Sequence, residues 1–296
     1  MVDIVKLDGS VEQWNETKLL RSLRRAGASD AAAEKIAQTI KATMGTSEES
    51  AQIYRRAFMM LRREGRAAAA RYSLRRSLFE LGPSGHPFED FVSELFKSEG
   101  WDVLPRQVIQ GKCVTHEVDV YAIRGDEHLA AELKYHNDPG YKTDVKTALY
   151  VKARMDDIWE YERGRAGQQA VRVDRGFLIT NTKFTSQAIE YAGCSGITLI
   201  GWNYPHHGNL YDRIVASGLY PITALTTLRK AEKRLLIDHG VSTTELLRSH
   251  RQLLREIGTS SERIGRIIAE VETLRDTSKD VVLHVSPPHP HAYGRV

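Results

Sequence analysis

Strand-like and helix-like segments alternate through the middle of this 296-residue chain, and this alternation limits the possible folds more than any other feature. Apolar residues recur at every second position in the strand-like runs and at helical spacing in the others. The predicted order is helix 87–98, strands 102–108, 115–123 and 129–135, helix 144–162, strand 175–180, helix 186–192 and strand 196–201. Three consecutive strands followed by alternating helices and strands predict a mixed sheet covered by helices on both faces. The fold class is therefore α/β.

The segment before this sheet predicts a small helical domain. Two alternating runs separated by Asp8-Gly9 indicate a β-hairpin. The helices that follow are predicted over 17–26, 30–41, 47–63 and 67–81, and Gly82-Pro83 ends the last of them. Because 296 residues exceed the usual size of one hydrophobic core, we expect several domains. Their predicted bounds are 1–82, 85–204 and 219–277, followed by a disordered tail, 278–296.

The last of these domains is predicted to be helical throughout. Its helices are expected over 225–238, 243–255 and 260–274, with Gly240 and Gly258 between them. The helix, glycine, cap, helix order vaguely resembles helix-hairpin-helix units, whose turn amides contact phosphates. A plain helical bundle or a dimerisation element is the alternative.

Composition excludes some classes of protein. The apolar share of 41% and the charged share of 27% are those of an ordinary globular protein, and no stretch is apolar enough to cross a bilayer. The first residues have neither the apolar core of a secretion signal nor the character of a transit peptide, so we expect a cytoplasmic protein. Cys113 and Cys194 lie in no paired CxxC spacing and are expected to be reduced thiols. A net charge of +4 favours polyanions only mildly.

A group of acidic and basic residues carries the candidate chemistry. Side chains two positions apart on a strand share a face, so Glu132 and Lys134 are predicted to point the same way. Asp119 lies on the neighbouring strand of the same hairpin, where both carboxylates could bind one hard cation such as Mg²⁺. Lys134 would then stand beside the attacking water. Glu117 shares the strand face of Asp119 and is a less favoured third acid; solvated polar positions are the alternative interpretation of the whole group.

The sequence around these residues also resembles that of a known family. The similar positions are Phe88, Glu89, Phe91, Val92, Leu95, Phe96, Gly100, Trp101, Gln110, His116, Glu117, Val118, Asp119, Val120, Glu132, Leu133 and Lys134, with 176–180 and 196–200 further on. They resemble the Mrr-like restriction endonucleases of the PD-(D/E)xK superfamily. The resemblance implies that Asp119 and Glu132 bind Mg²⁺, that Lys134 is the lysine of the motif, and that Glu89 is the acidic residue of the first helix, with a solvent-facing role as its alternative.

The first domain resembles a regulatory module. The similar positions are Val5, Lys6, Asp8, Gly9, Glu12, Trp14, Asn15, Lys18, Leu19, Ser22, Leu23, Ala26, Ala68, Ala70, Arg71, Tyr72 and Arg75. They look like the ATP-cone, which senses ATP or dATP. The resemblance implies nucleotide binding by Val5, Lys6, Glu12, Asn15, Lys18, Ser50 and Tyr54. Leu7 departs from the family pattern, which often has Arg there, and an ordinary interaction module is the alternative.

Taken together, these features predict an N-terminal α-helical cone with a small β-hairpin, a central mixed-sheet PD-(D/E)xK nuclease core flanked by helices, and a C-terminal small helical domain. The leading hypothesis is a Mg²⁺-dependent DNA endonuclease regulated by ATP or dATP and serving restriction of foreign DNA. We expect a homo-oligomer that binds DNA and nucleotide and no membrane. The alternatives are a catalytically silent nucleotide-controlled DNA-binding or sensor protein and a structure-selective repair nuclease.

Overall fold

The structure, a computed structural model, describes residues 2–6, 9–164 and 172–276. Within them the chain forms two compact units. One unit joins residues 2–78 with residues 220–276, and the other comprises residues 79–219. The predicted disordered tail lies outside the described residues. None of the described helices is long and apolar enough to cross a membrane.

The N-terminal part of the first unit is a three-stranded sheet with four helices. Its elements are β1 (Asp3–Val5), β2 (Val11–Gln13), α1 (Glu16–Arg25), α2 (Asp30–Ala42), β3 (Ser47–Glu49), α3 (Ser50–Glu64) and α4 (Arg66–Phe79). β1 pairs antiparallel with β2 and parallel with β3. The side chains of Asn15 and Ser29 accept hydrogen bonds from the first turns of α1 and α2, as N-caps do. Leu23, Ile36 and Leu61 are fully buried in the core between the helices.

The predicted helix 47–63 is wrong over its first three residues. Ser47 and Glu49 are the Cα partners of Asp3 and Val5, so this stretch adds a strand to the edge of β1 before α3 begins at Ser50. Ser47, Glu48 and Glu49 have no strong strand preference of their own. Residues 47–49 therefore form a strand because they pair with β1, which lies more than forty positions earlier in the sequence.

The second unit is built around a five-stranded mixed sheet. Its elements are α5 (His86–Ser98), β4 (Asp102–Gln110), β5 (Thr115–Arg124), β6 (Glu127–Lys134), β7 (Lys142–Thr143), α6 (Val145–Arg163), β8 (Arg175–Thr180), β9 (Lys183–Phe184), α7 (Ser186–Ser195), β10 (Thr198–Ile200) and α8 (Leu210–Ser217). The strand order is β10-β8-β6-β5-β4. The pairs among β4, β5 and β6 are antiparallel, whereas β6, β8 and β10 run parallel. The predicted α/β class with a central mixed sheet is confirmed.

Helices cover both faces of this sheet, as the alternation along β8 demonstrates. Leu178 is fully buried on one face, where it belongs to the same core as Val151 and Met155 of α6 and Ala188 of α7. The neighbouring side chain, Phe177, points to the opposite face and meets Phe96 of α5 edge to face, with ring centroids 6.2 Å apart. Because successive strand side chains alternate between faces, both layers of helices are needed to bury β8.

Three elements of this unit are absent from the sequence-based order. β7 and β9 form a separate two-stranded parallel sheet, in which Lys142 and Thr143 are the partners of Lys183 and Phe184. α8 begins after Asn209, whose side chain accepts a hydrogen bond from the Asp212 amide at 3.1 Å. Two-residue strands and a single short helix are below the length at which periodicity is informative.

The C-terminal helices complete the first unit. A 3-10 turn at Ile222–Ala224 precedes α9 (Lys230–Asp238), α10 (Thr244–Ser249), α11 (Gln252–Glu256) and α12 (Ser261–Asp276). The predicted helix 225–238 begins five residues late because the backbone amides of Thr226 and Thr227 donate to the carboxylate of Glu270, at 2.9 Å each. The predicted helix 243–255 is two short helices. The Thr223 hydroxyl donates to the Ser77 carbonyl at 2.6 Å, which links this part to α4 within the same unit.

Candidate active site

The candidate acids lie where β5 and β6 separate. Val120 and Ala131 are the outermost Cα partners of the two strands at this end. Beyond them Asp119 turns its carboxylate towards β6, where Oδ2 accepts a hydrogen bond from the Leu133 amide at 2.6 Å. At this end of the β5–β6 pair, the Asp119 side chain thus accepts the hydrogen bond that a backbone carbonyl of β5 would otherwise accept. The hydrophobic flanks Val118, Val120 and Leu133 are buried, which holds this junction in place.

The strand alternation of β6 places Glu132 and Lys134 on one face, as predicted. The Lys134 Nζ lies 2.6 Å from Glu132 Oε1. Glu132 is buried, with 8% of its side chain exposed, whereas 37% of the Lys134 side chain is exposed. The lysine therefore contacts the buried acid and still reaches solvent, where a substrate would approach.

Repulsion between acids shows how closely the predicted residues converge. The pKa of Asp119 is raised to about 6, first by burial and then by the charge of Glu132. The charge of Glu89 raises the pKa further, while the Leu133 amide and Lys134 lower it. One carboxyl group is therefore affected by both other predicted acids and by the lysine. The structure brings Asp119, Glu132 and Lys134 together, and Glu89 is near enough for its charge to act on Asp119.

Arg154 is a member of this cluster that the sequence analysis missed. This residue of α6 forms an ion pair with the second carboxylate oxygen of Glu132, and only 11% of its side chain is exposed. Glu132 is consequently held between two cations, one on each oxygen. The pair is 22 positions apart in sequence, and no local pattern indicates that α6 crosses the sheet at this point.

Arg106 was also missed and lies on the other side of Asp119. Its neighbours in β4 pair with the neighbours of Asp119 in β5, so the two residues occupy opposite positions. Arg106 has a φ of 52°, a left-handed conformation that is uncommon for residues other than glycine. Its guanidinium lies 3.3 Å from Glu89 and 3.2 Å from Asp90. Glu89 is therefore paired with a cation beside the site rather than simply facing solvent.

A buried polar network anchors the chain immediately after Lys134. The amide and carbonyl of His136 exchange two hydrogen bonds with the side chain of Asn181, each 2.9 Å long. The imidazole Nε2 of His136 contacts the Thr143 hydroxyl at 3.0 Å. Burial and the charge of Lys134 lower the pKa of His136. The end of β6 is thereby fixed, and with it the position of the lysine.

The donor set suits a hard divalent cation. Magnesium is usually bound through one or two carboxylates, with water and substrate phosphates completing its shell. Asp119 and Glu132 provide two carboxylates, and their mutual repulsion, which raises the pKa of Asp119, would be relieved by a cation. Among the described residues, no group of three or more His, Cys, Asp or Glu side chains is arranged to hold a metal. Two carboxylates meet the protein's share of an open Mg²⁺ site, and both oxygens of one of them, Glu132, are paired with cations in this structure.

The predicted nucleotide residues form a second polar cluster in the first unit. The carboxylate of Glu12 bridges two lysines, with Lys6 Nζ at 2.5 Å and Lys18 Nζ at 2.9 Å. Asn15 lies beside them and accepts a hydrogen bond from the Lys18 amide at 3.2 Å. These ion pairs hold the pKa of Glu12 below its usual value. They are partly exposed, and exposed ion pairs are weak enough to be exchanged for another anion.

The remaining predicted positions lie on neighbouring elements of this unit. Val5 is the Cα partner of both Val11 and Glu49, so the start of α3 at Ser50 adjoins β1. Tyr54 follows one turn later, and its ring stacks on that of Tyr72 with centroids 5.3 Å apart. Leu7 and Asp8 of the hairpin turn lie outside the described residues.

Comparisons with known proteins give two family models that match consecutive parts of the chain. Residues 82–203 match the family model for the Mrr catalytic domain, described as restriction endonuclease. Residues 220–275 match the model described as AF1548-like, C-terminal. The resemblance of the middle segment to restriction endonucleases is therefore confirmed.

Three individual proteins or structures are similar to this chain. An uncharacterized protein of Archaeoglobus fulgidus is 33% identical over 181 residues, which are 61% of this chain and 98% of the relative. The crystal structure of a protein of unknown function, AF1548, is similar with a TM-score of 0.51 and 32% identity, covering 65% of this chain and 99% of that one. A complex of the MspJI restriction endonuclease with a 27-mer oligonucleotide has a TM-score of 0.32 at 14% identity, covering 68% of this chain and 39% of that one.

Proposed function

Because this chain belongs to the AF1548-like family and carries a restriction endonuclease domain, we propose that it is a Mg²⁺-dependent DNA endonuclease. The observation that carries the proposal is the convergence of Asp119, Glu132 and Lys134 at the junction of β5 and β6. The catalytic chemistry is phosphodiester hydrolysis. Restriction of foreign DNA in the cytoplasm is the role that this proposal assigns to the protein.

Each residue of the site has a separate task in this proposal. Asp119 and Glu132 would hold Mg²⁺, which supplies a more acidic bound water and stabilises negative charge on the phosphate. The water oxygen bonds to phosphorus, one ester P–O bond breaks, and the leaving oxygen takes up a proton. Lys134 reaches solvent and donates a hydrogen bond to the attacking water or to a phosphate oxygen, which favours the charge that develops there. Glu89 would accept a hydrogen bond from that water.

Plasmid cleavage tests this assignment directly. Wild-type protein is incubated with supercoiled plasmid and Mg²⁺, and the reaction is repeated with EDTA, with Lys134→Ala and with Glu132→Gln. Lys112→Ala is the matched control, because Lys112 is exposed and pairs with a different glutamate, Glu160, rather than with Glu132. We expect cutting by wild type and the control alone. Cutting that persists in EDTA or in Lys134→Ala would disprove the mechanism.

The first domain is proposed to bind ATP or dATP as a regulator. The bridged cluster of Lys6, Glu12 and Lys18 supports this proposal, because a triphosphate could replace Glu12 between the two ammonium groups. Asn15, Val5, Ser50 and Tyr54 would contact base and ribose. Nucleotide can affect cutting only by favouring one arrangement of subunits or domains over another. We therefore propose a homo-oligomer whose assembly depends on nucleotide.

Calorimetry with ATP and dATP separates this regulator from an ordinary interaction module. Lys18→Ala should abolish most of the heat seen with wild type, since it removes one phosphate partner. Lys35→Ala is the matched control, because Lys35 is exposed on α2 and pairs with Glu64 instead. Equal heats for wild type and Lys18→Ala would rule out the proposed contact. Light scattering with and without nucleotide would measure the oligomeric state.

A catalytically silent DNA-binding protein is the second candidate. One observation favours it: both carboxylate oxygens of Glu132 are already paired, with Lys134 and with Arg154, so a metal ion must compete with two cations. The plasmid assay distinguishes the candidates. A silent protein would retard DNA on a gel but leave the plasmid intact at every Mg²⁺ concentration.

A further inference from the structure

Two exposed tyrosines stand out among the aromatic residues of the described chain. Every other described Phe, Tyr or Trp is buried or half-buried. Tyr141 and Tyr150 are 45% and 55% exposed. Large aromatic rings favour burial, and their exposure is often connected with binding. Both tyrosines belong to the second unit, and both lead to the candidate active site.

Tyr150 connects to the site through Arg154. The guanidinium of Arg154 lies 5.3 Å from the centroid of the Tyr150 ring, one helical turn away on α6, and forms an ion pair with Glu132. Lys146 lies one turn earlier, so Lys146, Tyr150 and Arg154 share one face of the helix. This face runs from solvent to the candidate metal ligand.

Tyr141 reaches the site from a different element. Its ring packs against that of His136 with centroids 4.1 Å apart, and His136 is two residues beyond Lys134. Tyr141 therefore packs on the chain just after the end of β6. Each exposed ring is connected to the candidate site through one intermediate residue, Tyr150 to Glu132 through Arg154 and Tyr141 to the end of β6 through His136.

The surroundings of these rings are basic. Lys142 follows Tyr141 and is the Cα partner of Lys183 in the two-stranded sheet of β7 and β9. Both lysines are exposed, as is Lys146. Exposed lysines beside exposed rings attract a polyanion, and a nucleic-acid backbone is the polyanion that the proposed function supplies.

From this combination we infer that Tyr141 and Tyr150 stack on unpaired bases next to the scissile phosphate, so that the substrate is single-stranded or locally melted DNA. The inference rests on the proposed endonuclease function for its choice of DNA. Bases within a duplex are covered by their neighbours, whereas unpaired bases offer a free face to aromatic side chains. Exposed rings alternating with lysines are the arrangement that binds such strands; lysines alone would suffice for a duplex backbone.

Binding measured in EDTA tests the inference without any cleavage. Fluorescently labelled DNA is offered as a single strand, as a duplex of the same sequence and as a duplex with a central unpaired bubble. We expect wild type to bind the single strand and the bubble more tightly than the duplex. Tyr141→Ala and Tyr150→Ala should each weaken binding to those two by roughly tenfold, since stacking contributes about 1–3 kcal/mol per base, and should leave duplex binding unchanged.

Two further variants separate stacking from other effects. Tyr150→Phe keeps the ring and should bind the single strand as wild type does. Leu149→Ala is the matched control, because Leu149 adjoins Tyr150 on α6 and is a large apolar side chain, 45% exposed, without a ring. It should also bind as wild type does. Loss of binding in Tyr150→Phe or in Leu149→Ala would overturn the stacking interpretation.

Other outcomes are equally decisive. Duplex binding as tight as single-strand binding, or equal losses for both DNAs in the tyrosine variants, would overturn the inference. Tighter binding of an RNA strand of the same sequence would overturn the assignment to DNA. If wild type binds the single strand as expected but never cuts DNA with Mg²⁺, the proposed function fails while the aromatic surface stands. If wild type cuts duplex DNA and the tyrosine variants bind DNA as wild type does, the proposed function stands and the inference about the two tyrosines fails.

Discussion

Replacing Asp119 by Asn should make the metal-free protein more stable. The pKa of the Asp119 carboxyl is raised to about 6, first because the group is buried and then because Glu132 is near. The ionised form is therefore unfavourable in the folded protein at neutral pH. An Asn side chain has the same shape, carries no charge and can still accept the hydrogen bond from the Leu133 amide.

The size of the effect follows from the pKa. A rise from 3.8 to about 6 corresponds to roughly 3 kcal/mol, at about 1.4 kcal/mol per pKa unit. Because the side chain is only half-buried, solvent screening reduces the expected value to about 2 kcal/mol. The folded protein binds this proton more tightly than the unfolded chain does, so the free energy of unfolding falls as pH rises from about 4 to about 6. Below that window the carboxyl is protonated in both states.

Thermal unfolding of the metal-free proteins measures this prediction. At pH 8 Asp119→Asn should melt roughly 4–8 °C above wild type, using about 2–4 °C per kcal/mol. At pH 3.5 the difference should nearly vanish. Added Mg²⁺ should stabilise wild type and not the variant, because binding to the folded state alone raises its stability. Asp102→Asn is the control: Asp102 is exposed at the start of β4, so its variant should melt as wild type does.

Two results would refute this reasoning. An Asp119→Asn protein that melts below wild type at pH 8 would mean that the carboxylate stabilises the fold, contrary to the repulsion from Glu132. Equal stabilisation of both proteins by Mg²⁺ would mean that Asp119 is not a metal ligand. The second result would leave the electrostatic argument intact and remove the catalytic one.

Three further variants test separate parts of the structure by denaturant unfolding. Arg154→Ala should lower the free energy of unfolding of the metal-free protein by roughly 3 kcal/mol, the lower end for a broken buried ion pair, because Lys134 still contacts Glu132. Unchanged stability would mean that the ion pair is not formed. Gly111→Ala should lower the free energy of unfolding by about 1–3 kcal/mol, because its Cβ would lie 2.7 Å from the Val114 carbonyl and against Asp157. Gly193→Ala is the control and should be neutral or slightly stabilising, because a Cβ there meets open space. Glu270→Ala should lower the free energy of unfolding by about 2–4 kcal/mol, because the amides and hydroxyls of Thr226 and Thr227 lose their acceptor. Glu262→Ala, at an exposed glutamate, is the control, and a larger loss in the control would contradict this prediction.

The candidate site illustrates how far sequence reasoning reaches. Glu132 and Lys134 share a face because strand side chains alternate, and a hairpin brings Asp119 to the neighbouring strand; both facts depend on residues close in sequence. Arg154 and Arg106 reach the same cluster only because α6 packs on the sheet and because β4 lies next to β5. Their positions in sequence carry no comparable signal. A cationic residue at the surface of a helix is usually solvated.

The same division applies to the fold. Periodicity alone determined the order of helices and strands from α5 to β10, except for the two-residue strands β7 and β9, because each longer element's apolar face is a property of its own residues. Only the tertiary structure decided that residues 47–49 form a strand beside β1, that α9 begins at Lys230, and that residues 220–276 join residues 2–78 in one unit. These outcomes depend on partners that are distant in sequence: a free strand edge, the carboxylate of Glu270 and the carbonyl of Ser77. The preference of a segment for helix or strand depends on neighbouring residues. The distant residue that accepts its backbone hydrogen bonds or buries its side chains comes into contact only when the chain has folded.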